Sequence, residues 1–127
     1  MSMKYVAVEG CTVEVVAPTQ GSVSITSQPV ASTLGGGSGM YTGQLQISAS
    51  NLTQASFGTA TPGTATGAIP ATAVTTVGGQ PVLRVGDRVD GLLSSDAQMP
   101  SASGTVPSPI TFSVEITDAG QSKVKVA

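Results

Sequence analysis

The run Ile110-Thr111-Phe112-Ser113-Val114-Glu115-Ile116-Thr117 sets four apolar residues at alternate positions, with threonine, serine, glutamate and threonine between them. Side chains of an extended chain point to opposite faces with a period of two, so this spacing predicts a strand with one buried and one wet face. Val13-Glu14-Val15, Val23-Ser24-Ile25-Thr26, Leu45-Gln46-Ile47-Ser48 and Lys123-Val124-Lys125-Val126 carry the same alternation. They are weighted toward β-branched residues, which suit a pleated surface. No window shows apolar residues at i, i+3, i+4 and i+7 between caps, so any helix is expected to be short.

Turn formers fall between these runs: Pro18-Thr19-Gln20-Gly21, Gly35-Gly36-Gly37-Ser38-Gly39, Thr61-Pro62-Gly63, Gly78-Gly79 and Asp118-Ala119-Gly120. The expected fold is therefore all-β, with short strands and turns in a single domain over residues 1-127. Ile110 to Thr117 and Gln121 to Val126 are expected to pair as a hairpin around Asp118-Ala119-Gly120, a C-terminal extension within 106-127. Asn51 to Thr76, rich in Thr, Ala and Gly, has two readings. It is a flexible linker, or it is a tightly layered segment whose small side chains let backbones approach.

Charge is scarce. The 127 residues hold 5 Lys and Arg against 7 Asp and Glu, for a net charge of -2, with no histidine and no tryptophan. No charged side chain lies between Glu14 and Arg84. Such a chain has no basic stripe to neutralise phosphates, so no nucleic-acid partner is expected. Tyr5, Tyr41, Phe57 and Phe112 are too few for a base-stacking platform.

Without histidine a Ser-His-Asp triad cannot be built. Lys4, Lys123 and Lys125 sit near the termini, away from any buried Ser-Lys dyad. Cys11 has no activating histidine and is followed by Val13 and Val15, which suits a small buried hydrophobe. The glycine run at 35–39 lacks the lysine of a phosphate-binding loop, and Glu9 and Glu14 are expected to face solvent. A single cysteine makes no intrachain disulfide. The first residues lack the basic start and apolar stretch of a cleaved leader, and no run approaches the roughly 18 apolar residues that span a bilayer. Synthesis in the cytoplasm is the expectation.

Val77-Gly78-Gly79-Gln80-Pro81-Val82-Leu83-Arg84-Val85-Gly86-Asp87-Arg88-Val89 combines a glycine turn, an apolar run opening on proline, and a second turn at Gly86-Asp87. This order suits a hairpin. It also resembles the signature of proline-alanine-alanine-arginine (PAAR) repeat proteins, with Pro81 and Arg84 on the name-giving positions. Gly39-Met40-Tyr41-Thr42-Gly43-Gln44-Leu45-Gln46-Ile47-Ser48 is similar, more weakly, to a glycine-led strand of the same group.

The resemblance implies a small β-rich cone seated on a trimeric β-helical spike of a contractile injection machine, such as a phage tail or a type VI secretion system. It implies one copy per trimer, transient contact with a target membrane, a place in the assembled particle, and no enzymatic activity. It further implies that Gly78, Gly79, Pro81, Arg84, Gly86 and Asp87 hold the shape of the repeat, and it favours the layered reading of Asn51 to Thr76.

Each residue also has a physical case. Proline fixes its backbone angle and suits a strand start. Gly86 supplies a positive φ and Asp87 bonds nearby amides. Arg84 has five donors for loop carbonyls, Asp87 or Asp90. Against this stands the plain alternative that Arg84, Asp87, Arg88 and Asp90 form a solvated charged turn of little energetic worth. Many members of the family bind zinc near the tip through histidines and a cysteine. Here that site lacks its ligands, so no zinc is expected. Asp87, Asp90 and Asp96 are the remaining candidates for a hard cation, though their spacing matches no calcium loop. A virion decoration or adhesin-like β-domain is the alternative function.

Overall fold

The computed structural model describes residues 3–17, 19–35, 38–54, 61–102, 104–107, 109–122 and 124–127, and these contain strands and turns but no helix. In chain order the strands are β1 (Lys4–Tyr5), β2 (Thr12–Val15), β3 (Thr19–Ile25), β4 (Val30–Gly35), β5 (Ser38–Met40), β6 (Gln44–Gln54) and β7 (Gly63–Pro70). There follow β8 (Thr76–Val77), β9 (Gln80–Pro81), β10 (Arg88–Ser94), β11 (Gln98–Ser101), β12 (Gly104–Pro107), β13 (Ile110–Asp118) and β14 (Lys125–Val126).

Two antiparallel three-stranded sheets make the body, one in the order β10-β13-β2 and the other β3-β6-β7. β10 lies beside β7 and β2 beside β3, so the sheets meet along both edges and close around one core. The alternation read from the sequence determines what fills it. Ile110, Phe112, Val114 and Ile116 point in from β13, and Leu45, Ile47, Leu52 and Ile69 from the other sheet. Burying each such side chain contributes about 1.5–3 kcal/mol relative to leaving it exposed.

A second, smaller cluster consists of Val6, Val8, Met40 and Val82, flanked by Ala73, Val77, Val124 and Val126. Short pieces of strand surround it: the pair β1-β14, the hairpin β8-β9 and the hairpin β4-β5. The N-terminal segment threads between them. Val6 N donates to Val124 O at 3.1 Å, Ala7 N to Leu83 O at 2.8 Å and Val8 N to Ala119 O at 3.0 Å.

Three expectations are corrected. β13 does not form a hairpin with the residues after it; β14 pairs with β1 instead, Lys4 opposite Val126. The reason is that β10 and β2 already occupy both edges of β13, which is a central strand rather than part of an appended pair. Pro18-Thr19-Gln20-Gly21 is not a turn as a unit, because Thr19, Gln20 and Gly21 open β3. Gly21 is there for space, since a Cβ at that position would lie 2.7 Å from Leu52 Cδ2 and 3.0 Å from Ser50 O.

The linker reading of Asn51 to Thr76 also fails where the chain is described, for β7 occupies its middle. A Cβ on Gly67 would lie 2.7 Å from Leu92 Cδ2, and one on Gly63 would meet Ser94 Oγ and Ala97. Small residues let β7 lie against β10, as the layered reading requires. Residues 55–60 lie outside the described residues, as do Gly36 and Gly37 of the glycine run.

Candidate functional site

The segment from Thr76 to Asp87 is built by one tight turn, one stitch and one knot. Thr76 pairs with Pro81 and Val77 with Gln80 across Gly78-Gly79, whose φ values of 61° and 82° are both positive. Two successive residues in that region make the two-residue hairpin turn whose twist matches its strands, and glycine adopts it without steric cost. The hairpin expected here is therefore present, but it ends at Pro81. The proline closes β9, where it has no N–H to offer, and its carbonyl accepts Gly43 N at 2.8 Å.

Val82 and Leu83 form the stitch. Neighbouring residues of an extended chain point oppositely, so Val82 enters the small cluster while Leu83 enters the main core, and both are fully buried. Leu83 N donates to Tyr41 O at 3.0 Å and Val82 N to Thr75 O at 3.2 Å. One dipeptide thus joins the two hydrophobic clusters.

Arg84, Thr72 and Asp87 form the knot. Asp87 Oδ2 accepts the Arg84 backbone amide at 2.9 Å, and Oδ1 accepts the Thr72 hydroxyl at 2.9 Å. Arg84 Nη2 donates to Thr72 Oγ1 at 3.2 Å and lies 4.0 Å from Asp87 Oδ1. The two charged side chains are only 12% and 3% exposed. Gly86, at φ 93°, turns the chain so that its amide reaches Ile116 O at 2.8 Å, and Asp87 O accepts Ile116 N at 2.9 Å. The short bonds are to amide and hydroxyl, while the ion pair is long; Asp87 therefore acts first as a cap on the turn.

The four charges of this region divide. Arg84 and Asp87 turn inward. Arg88 and Asp90 remain solvated, 42% and 68% exposed, with Arg88 Nη2 at 2.7 Å from Asp90 Oδ1 and Nη1 at 3.5 Å from Glu115 Oε1. Asp90 is thus Arg88's partner rather than Arg84's. Its carboxyl is held below the usual range first by the Ser113 hydroxyl and then by Arg88. The solvated-turn reading holds for this outer pair, where it is worth little.

Asp87, Asp90 and Asp96 do not converge. Asp96 accepts Thr64 N at 2.8 Å, Ser94 Oγ at 2.9 Å and the Thr64 hydroxyl, which together hold its carboxyl down to about 2. Among the described residues no group of three or more His, Cys, Asp and Glu side chains could hold a metal ion. Cys11 is buried, and burial raises its thiol to about 11. Burial likewise raises the Tyr41 phenol. Glu9, Glu14, Lys4 and Lys125 are exposed, with Lys125 Nζ 4.6 Å from the Tyr5 ring centroid.

Two shallow clefts, of about 240 and 360 Å³, lie on either side of the Arg88–Glu115 bridge. Arg88 with the hydroxyls of Thr19, Thr111 and Ser113 supplies the polar lining of the smaller cleft, and Lys4, Glu115 and Thr117 that of the larger. Sequence reasoning missed Thr72, which nothing distinguishes among the many threonines around it.

Compared with known proteins, the chain matches no family model, and no curated protein or solved structure matches it.

Proposed function

We propose that this chain is a non-enzymatic structural cap, seated on the trimeric β-helical spike of a contractile injection machine and sharpening it for passage through a membrane. The observation that carries the reading is the inward use of the Pro81–Asp87 element. Val82 and Leu83 lock two cores together, and the Asp87 carboxylate caps the turn on the Arg84 backbone amide while the Arg84 guanidinium turns inward to Thr72. A segment used this way contributes rigidity and shape, which a mechanical tip requires.

A second observation supports the docking half of the proposal. The outward face of the sheet β3-β6-β7 carries Ser24, Ser48 and Thr66 in register, with Ser22 beside Ser50 and Gln46 beside Ala68. None of the three strands carries a charged residue, and the Asp96 carboxylate meets the face at Thr64, near the start of β7. A neutral surface of small polar side chains meets no like-charge penalty and can rest closely on another sheet.

The test is to mix the purified chain with the trimeric spike protein encoded beside it and measure the mass of the complex. Co-elution at one copy per trimer is expected. Compact homo-oligomers that ignore the spike overturn the reading and favour a decoration or adhesin-like role, which the same neutral sheet face would also serve.

A further inference from the structure

The larger of the two clefts, of about 360 Å³, carries opposite charges in one largely apolar lining: Lys4 and Glu115, with Val85, Gly86, Ile116 and Thr117. The fold fixes where each charge sits. Gly86 N donates to Ile116 O at 2.8 Å and Asp87 O accepts Ile116 N at 2.9 Å, so the turn is pinned against β13. Lys4, on β1, lies across Gly86, where a Cβ would be 3.0 Å from Nζ and 3.7 Å from Cδ. The glycine thus leaves the room that the lysine stem occupies. Glu115 stands opposite Arg88 in the pairing of β10 with β13. Gly86 and Arg88, which mark the two charges, are two residues apart, a span of at most about 7 Å.

Neither charge answers the other. Among the described residues Lys4 makes no ion pair, and Glu115 makes one, to Arg88 Nη1 at 3.5 Å. That pair is long, and a carboxylate offers about four acceptor positions, so Glu115 keeps capacity for a second donor. An ammonium with three donors and a carboxylate with spare acceptors therefore share one cleft without meeting.

We propose that this cleft binds a small dipolar molecule, an ω-amino acid whose carboxylate meets Lys4, whose ammonium meets Glu115, and whose few methylene groups lie along Val85. A ligand with a single charge answers one of the two residues and brings its apolar end, or a like charge, against the other. A dipolar ligand of matching length answers both. The volume falls in the range of roughly 300–1,000 Å³ typical of small-molecule sites, and an apolar lining with a few placed polar groups is their usual chemistry. The site belongs to β1, β13 and the turn before β10, away from the face of β3-β6-β7, so it is independent of the spike docking proposed above.

Titration of the full chain with ε-aminocaproate, caproate and hexylamine, followed through amide chemical shifts, tests this. Saturable shifts at Gly86 and Thr117 are expected, with ε-aminocaproate at least about threefold tighter than either singly charged probe, the worth of one exposed ion pair. Lys4→Gln should weaken ε-aminocaproate at least about threefold and leave hexylamine no weaker; Glu115→Gln should weaken it by a similar factor and leave caproate no weaker. Lys4→Gln keeps the backbone pairing with Val126, so it preserves the readout if Glu115→Gln disturbs Arg88. Caproate or hexylamine binding as tightly as ε-aminocaproate overturns the proposal by showing that the cleft reads one charge alone. Absence of saturable shifts at Gly86 and Thr117, or binding that neither variant changes, overturns it by placing no dipolar ligand in this cleft.

Discussion

The Asp87 carboxylate reaches back three residues to accept the Arg84 amide at 2.9 Å, closer than the 4.0 Å that separates it from the guanidinium of the same arginine. Capping therefore dominates over charge pairing. Asp87→Ala leaves a backbone amide and the Thr72 hydroxyl without their acceptor in a site where the carboxylate is almost wholly buried. A loss of about 2–4 kcal/mol is expected. Arg84→Met removes one hydrogen bond of 3.2 Å and the long ion pair, and should cost less, about 1–2 kcal/mol. Urea unfolding of both variants gives the order; a costlier Arg84→Met would show that charge, not capping, holds the turn.

Glycine matters for different reasons at different turns. A Cβ on Gly78 meets nothing within 4 Å, so only its positive φ of 61° constrains it. Asparagine tolerates that region and is favoured in such hairpin turns, so Gly78→Asn should fall within about 0.5 kcal/mol of the wild type. Gly120 combines φ 84° with backbone crowding, a Cβ there lying 2.9 Å from Cys11 N and 3.1 Å from Gly10 C. Gly120→Ala should cost about 2–3 kcal/mol, because neither backbone can yield without disturbing the loop into β2. Thermal unfolding of the two variants separates the cases.

These positions also mark how far the sequence could be read. Period-two alternation identified β2, β6 and β13 and their buried faces, because burial of one face leaves a direct trace in residue type. Partners left no such trace. Nothing in Ile110 to Thr117 says that β10 and β2 fill both its edges and send β14 to β1. β7 was obscured because its inward positions Gly63, Ala65 and Gly67 are small where β10 approaches, so the alternation carried no hydrophobic signal. At the candidate site the turns at Gly78-Gly79 and Gly86-Asp87 were legible from turn chemistry. Thr72 was not, since a hydroxyl brought in from 12 residues before Arg84 follows from packing alone.

Asp96 gives the chain an acid-sensitive tie. Its folded value of about 2 lies below the ordinary carboxylate value of 3.8, lowered by the Thr64 hydroxyl first, then by Thr64 N and Ser94 Oγ. A carboxyl whose folded value is depressed contributes stability that is full above the unfolded value and is lost as pH falls through the folded one. The wild type should thus lose stability between about pH 4 and 2 more steeply than Asp96→Asn, which has no proton to gain there. Urea midpoints at pH 5, 4, 3 and 2 for the pair give the slopes; parallel slopes would remove Asp96 from the acid response.

Cys11 is the corresponding group at alkaline pH. Burial disfavours the thiolate and raises the thiol from 9.0 to about 11, against a smaller opposing backbone hydrogen bond. At pH 8.5 the folded protein should therefore react with iodoacetamide far more slowly than the urea-unfolded chain, because the thiolate is both scarce and covered. The linked stability has the opposite sense to that of Asp96. It is present below the unfolded value near 9 and is lost as pH rises from there toward about 11. Over that interval the wild type should lose more of its urea midpoint than Cys11→Ala, which has nothing to ionise. Rapid alkylation of the folded wild type at pH 8.5, or an equal alkaline loss in both proteins, would mean that the thiol is not enclosed as the fold has it.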